Sequence, residues 1–166
     1  PLIFFTAYQT SDLFQKRVNL AIKDITYYNN ETRTSVGIRI NYALNSWQVI
    51  KKNPIIGVGT GDFPAEYSKI NKINSPKMPE TQNPHNMYTL VQTQLGLLGL
   101  FSLLSIFYYQ IQYANRSSSK FIRDVGVTLP LLFLVLMLSD SYLLGHFTTL
   151  VFIFFSLCLC CFQISF

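Results

Sequence analysis

The chain has 166 residues, a net charge of +5 and only 13% charged residues, where a soluble domain carries roughly a quarter. The deficit is uneven: no charge occurs from Tyr88 to Asn115, and from Val125 to Phe166 the only acid is Asp140, with no Lys or Arg. This pattern excludes an ordinary soluble domain and predicts an integral membrane protein with a polar first half. No basic stripe with interleaved aromatics occurs, so nucleic acid is not an expected partner.

In chain order, Pro1–Tyr8 is apolar and aromatic but lacks the positive flank and cleavage site of a signal peptide. It reads as the end of a preceding membrane helix, which makes the chain a piece of a longer protein. Ser11–Tyr28 places Leu13, Phe14, Val18, Ala21, Ile22 and Ile25 at helical spacing, with Ser11 or Asp12 as N-cap. Thr34–Lys52 repeats the pattern through Val36, Ile40, Ala43, Leu44, Trp47 and Ile50. Asn53-Pro54 ends it, because the residue before proline avoids the helical region. Both helices are expected on the membrane surface or across the top of a bundle. Lys69–Pro84, with three prolines, reads as loop.

A spanning helix needs about 20 mainly apolar residues. Three segments qualify: 87–113, 125–144 with Pro130 in its first turns, and 147–166. The expected fold is therefore all-α and polytopic, with about three transmembrane helices. Arg116, Lys120 and Arg123 place the short loop 115–124 in the cytoplasm. The long, partly helical loop 9–86 then lies on the opposite side. Cys158, Cys160 and Cys161 fall inside the last apolar run and read as small apolar side chains rather than a disulfide framework.

Several residues have types suited to chemistry. Gly57, Gly59 and Gly61 form a tight turn; without a βαβ context their spacing does not indicate a nucleotide site, but glycine lets backbone approach a ligand closely. Asn83 and Pro84 are expected to start the first span, placing His85 in its first turn, where a neutral imidazole can act as general base. Arg39 has the forked guanidinium that suits phosphate and diphosphate, and Arg33 is a weaker version of the same idea. Asp140 and His146 lie at the outer ends of the second and third spans, level with His85, where ionisable groups are functional candidates.

Taken together, Ser35-x-x-x-Arg39, Asn53-Pro54-x-x-Gly57-x-Gly59-x-Gly61-x-Phe63, His85-Asn86-x-Tyr88 and Gly96-x-x-Gly99 resemble the O-antigen ligase family, over roughly Thr34–Leu104. That family comprises O-antigen ligases, related polymerases and protein O-oligosaccharyltransferases. The resemblance implies a multi-pass enzyme of the bacterial inner membrane with a large periplasmic loop. It implies transfer of a glycan from undecaprenyl diphosphate to a lipid or glycan acceptor, without a metal or other cofactor. By motif position Arg39 and His85 are the expected catalytic residues. Arg33, Gly57, Gly59, Gly61, Asn86, Asp140 and His146 are the expected substrate-binding residues, and membrane lipids are the surrounding partners. Two other classes compete with this reading: a non-catalytic transporter or flippase of lipid-linked glycans, and a structural membrane subunit with a partner-binding loop.

Overall fold

The computed structural model describes residues 2–28 and 33–164, with side chains described as far as Leu157. The side chains of the three cysteines lie outside the described residues. Seven α-helices follow one another: α1 Leu2–Thr10, α2 Asp12–Thr26, α3 Ser35–Lys52, α4 Phe63–Asn74, α5 Met87–Asn115, α6 Lys120–Leu136 and α7 His146–Ile164. A short 3-10 turn, Tyr142–Leu144, precedes α7. No strand occurs among the described residues, so the all-α expectation holds.

Local sequence accounts for most boundaries. Ser11 caps α2 by accepting from Phe14 N at 3.3 Å, and its extended backbone turns α2 back so that Phe4 and Phe14 meet edge-to-face. Thr34 caps α3 by accepting from Gly37 N at 3.1 Å, and Asn53 ends it. Helix α4 reaches with its second half, Lys69–Asn74, into the stretch expected as loop. Pro64 stands in its first turn, where a missing N–H costs nothing, and Phe63, Tyr67, Ile70 and Asn71 form its buried face.

Helices α3 and α4 are joined by buried polar side chains. Asn41 donates to Ser75 Oγ at 2.7 Å, and Asn45 donates to Asn41 Oδ1 and to Asn71 Oδ1 at 3.1 Å each. Tyr67 is fully buried and its hydroxyl donates to Asn41 Oδ1 at 3.1 Å. Each such bond adds roughly 0.5–1.5 kcal/mol net, but stranding one buried partner costs more. Burial pushes the Tyr67 hydroxyl up to about 12, by desolvating the phenolate.

Among the described residues one helix, α5, is long and apolar enough to cross a membrane by length and composition. Helix α6 has 17 residues and the described apolar part of α7 is short. The second apolar segment also folds differently from the expected 125–144. Its helix starts at Lys120, inside the expected loop, so Pro130 is internal rather than in the first turns. Gly126, four residues earlier, leaves room at the carbonyl that the proline ring would crowd, and both are buried. The helix ends at Leu136 because Leu138 N and Ser139 N bond three residues back, tightening the last turn. Helices α5 and α6 pack as a hairpin around Leu103, Phe107, Phe133 and Met137, with Phe152 of α7 against both phenylalanines.

Candidate active site: a histidine–aspartate pair against helix α3

Two short segments meet at the mouth of the α5–α6 hairpin. Met87 N donates to Met137 O at 3.0 Å, and Tyr88 Oη donates to Leu134 O at 2.6 Å. Asn86 serves both segments: its Oδ1 accepts from Thr89 N at 2.9 Å, and its Nδ2 donates to Leu138 O at 3.0 Å. The residue that caps α5 is therefore Asn86, and the expectation of His85 in the first helical turn is corrected. Asn83 does not cap the helix because its Oδ1 is engaged by His85 N at 2.9 Å and Ser141 Oγ at 2.7 Å. His85 stands just outside the helix with φ +53°, a left-handed conformation uncommon for a side-chain-bearing residue.

This placement brings His85 to Asp140. His85 Nδ1 lies 3.2 Å from Asp140 Oδ1, and both side chains are about 40% exposed (39% and 40%). Asp140 is itself fixed: Oδ1 accepts from Ser141 N at 2.7 Å and lies 3.4 Å from Asn83 Nδ2. A carboxylate at Nδ1 selects the tautomer with the proton there, leaving Nε2 as an acceptor. On one side the imidazole stacks on the Tyr42 ring, with centroids 6.0 Å apart and planes at 17°. Tyr42 belongs to α3 and is held edge-on by Tyr67 at 5.8 Å.

Arg39 precedes Tyr42 by one helical turn, so the two are neighbours on α3. Its side chain is exposed, and among the described residues it has no ion-pair or hydrogen-bond partner. Arg33, just before α3, donates to the Lys77 carbonyl. His146 is the exposed first residue of α7 and no described contact joins it to the His85–Asp140 pair. No three potential metal-ligating side chains cluster among the described residues.

The glycine turn touches a different part of α5. At Gly96 the helix is broken, with φ 63° and ψ −158°. The break frees carbonyls on one side and N–H groups on the other, and the turn satisfies both. Val58 N and Gly59 N donate to Thr93 O and Gln94 O at 2.9 Å, while Leu97 N and Leu98 N donate to Pro54 O and Ile55 O at 2.9 and 3.2 Å. The close approach that Gly57 permits is thus to α5 backbone. Gly61 has open space where a side chain would begin. Below the turn an open, largely apolar groove of about 510 Å³ runs along α5 from Ile56 past Leu98 and Ser102 to Ile106.

Sequence reasoning did not find Tyr42, Asn83, Ser141 or the helix break. The signal for the break was present in Gly96 and in the change from Gln92-Thr93-Gln94 to apolar residues at that point. Tyr42 carried no signal beyond its spacing from Arg39.

No curated protein matches the chain in sequence. The family model described as O-antigen ligase matches residues 1–104, a region that contains α3, the glycine turn, the His-Asn motif and the first half of α5. The chain therefore belongs to the O-antigen ligase family, whose members are membrane-integral enzymes of the glycosyltransferase kind that act on lipid-linked glycans.

Proposed function

We propose that the chain supplies catalytic residues of a transferase that moves an oligo- or polysaccharide from undecaprenyl diphosphate to an acceptor. The acceptor is lipid A-core if the protein is a ligase. The reaction takes place on the periplasmic face of the bacterial inner membrane. In this reading α5, the α6 region and α7 cross the membrane, 9–86 is the periplasmic segment, and the turn at 115–119 faces the cytoplasm.

The observation that carries the proposal is the His85–Asp140 pair, half-exposed and stacked on the helix that presents Arg39. The acceptor hydroxyl attacks the anomeric carbon of the donor glycan. His85 Nε2 takes the hydroxyl proton while Asp140 holds the ring and stabilises the imidazolium that forms. The new bond joins the acceptor oxygen to the anomeric carbon, and the bond from that carbon to the diphosphate oxygen breaks. The electron pair leaves with the diphosphate, whose growing charge Arg39 offsets. Arg33 adds positive charge near the start of α3. Asn86 holds the segment carrying His85, and the glycine turn holds the start of the apolar groove, whose lining suits a prenyl chain. His146 lacks a contact with the pair and has a weaker claim to the substrate.

The deciding experiment is His85→Ala in the full-length protein, expressed in a strain lacking the native gene. Glycan accumulating on its lipid carrier, at normal membrane levels of the variant, supports transfer through His85. Transfer at the parental rate rejects the general-base role.

A further inference from the structure

Helix α3 carries large apolar residues on its outward side as well as on the side turned into the protein. The face turned into the protein carries Asn41, Asn45 and Ser46 beside Tyr42, Val49 and Ile50, all buried. The outward side carries exposed Leu44 and Trp47 with half-buried Val36 and Ile40, is flanked by exposed Arg39 and Gln48, and ends in Lys51. Leu44 is 49% exposed and Trp47 50%. A helix that buries Asn41 and Asn45 while presenting leucine and tryptophan has an apolar medium, not water alone, as its outer neighbour.

The position of the stripe identifies that medium. It runs into Ile55 and Ile56, which are 60% and 68% exposed. Through Pro54 O and Ile55 O this corner is bonded to Leu97 N and Leu98 N of α5. These follow the break at Gly96, where α5 changes from Gln92-Thr93-Gln94 to the apolar run with exposed Leu98 and Phe101. The stripe is thus continuous with the outward apolar surface of α5, which among the described residues is the helix long and apolar enough to span a membrane, at the level where its polar side chains stop. Lys51 Nζ lies 5.8 Å from the Trp47 ring centroid. Tryptophan beside a lysine with an apolar stem is the pairing that occupies the boundary between headgroups and acyl chains.

We propose that the outer face of α3, from Val36 to Lys51 with Ile55 and Ile56, is a membrane-docking surface. It seats α3 at the headgroup boundary, with Lys51 and Lys52 reaching lipid phosphates. This surface sets the height of Tyr42 and Arg39 above the bilayer, and it stands independently of the transfer chemistry.

Trp47 is the only tryptophan of the chain, so its fluorescence reports this face directly. The full-length protein, with any tryptophan outside these 166 residues replaced by phenylalanine, is reconstituted in lipid nanodiscs made with ordinary phospholipid or with phospholipid brominated near the top of the acyl chains. Docking predicts that Trp47 emission falls at least about twofold in the brominated bilayer while aqueous acrylamide quenches weakly, as for an interfacial indole. Strong acrylamide quenching with no effect of bromine places the face in water and overturns the proposal. Emission indifferent to both quenchers means that protein covers the face, and overturns it equally.

Discussion

Gly57 lies against Gln94 so closely that a Cβ on it would come within 2.4 Å of the Gln94 carbonyl carbon. The mirror contact is as tight: a Cβ on Gly96 would come within 2.2 Å of Ile55 O. Backbone packs on backbone there, and four hydrogen bonds across the contact repair a broken helix. Gly57→Ala and Gly96→Ala must shift main chain and also carry a side chain at φ +71° and +63°. Each is expected to cost at least about 3 kcal/mol, well beyond the 1–2 kcal/mol of a left-handed residue alone. Gly61→Ala, at φ +88° with nothing within 4 Å, is expected to cost only that smaller amount. Thermal unfolding of the three variants in detergent checks the order, and equal midpoints would show that the turn does not hold α5.

Asp140 supports His85 in a way that can be separated from folding. Asp140→Asn preserves size and an oxygen able to accept from Ser141 N. It removes the charge that stabilises the imidazolium and selects the tautomer. The rate of transfer is expected to fall by about ten- to a thousandfold with little change in the apparent affinity for donor. Asp140→Ala should do the same and also loosen the 83–88 segment, lowering the unfolding midpoint. A steady-state assay with a lipid-linked donor distinguishes these. Unchanged turnover in Asp140→Asn would leave the carboxylate with a packing role only.

The helices were legible in the sequence to the extent that local rules fixed them. Ser11 and Thr34 cap α2 and α3, and apolar spacing with Asn53-Pro54 marks their course and the end of α3. The pairing of His85 with Asp140 was not legible, although both residues stood out by type. It depends on α6 stopping at Leu136, and hence on a turn made by Ser139, Asp140 and Ser141 inside an apolar stretch. Periodicity alone carries that stretch onward to Leu144. The N-cap of α5 was placed three residues early because Asn83-Pro84 is a good helix-opening pair. The competing acceptor, Asn86, is decided by a tertiary bond to Leu138 O that no local rule contains. The second half of α4, Lys69–Asn74, was missed because the loop expectation rested on Pro76, Pro79 and Pro84, all of which follow the helix.

Arg39 is exposed without a described ion-pair partner, so its removal strands no buried group. Arg39→Ala is therefore expected to leave the unfolding midpoint within about 0.5 kcal/mol of the parent. Transfer should fall at least about tenfold, as a fixed cation at a leaving diphosphate is lost. Arg39→Lys keeps the charge but not the fork, and is expected to recover part of the activity. The same comparison at Arg33 should show a smaller loss of activity, because the Lys77 carbonyl already engages that guanidinium. Activity lost equally in Arg39→Ala and Arg39→Lys would require the two-pronged contact, and no loss in either would remove Arg39 from the site.

Tyr67 links stability of the α3–α4 pair to alkaline pH. Its hydroxyl is pushed from 10.0 to about 12 in the folded protein, first by burial, with nearby tyrosines and Glu80 adding to the rise and the Asn45 hydrogen bond opposing it. The neutral form is the one that the fold accommodates. Below about pH 10 the contribution of Tyr67 is fully present. Between about 10 and 12 the unfolded chain loses this proton while the folded chain keeps it, so stability declines, by on the order of 1–2 kcal/mol. Tyr67→Phe should flatten this part of the pH profile. At neutral pH it should cost about 0.5–1.5 kcal/mol, because Asn41 Oδ1 loses one of its two donors and keeps Asn45 Nδ2. The site feels the change through Tyr42, which Tyr67 holds edge-on and which in turn stacks on His85. Unfolding midpoints of parent and Tyr67→Phe from pH 8 to 12 test both parts. Parallel curves would assign the alkaline loss of stability to other groups.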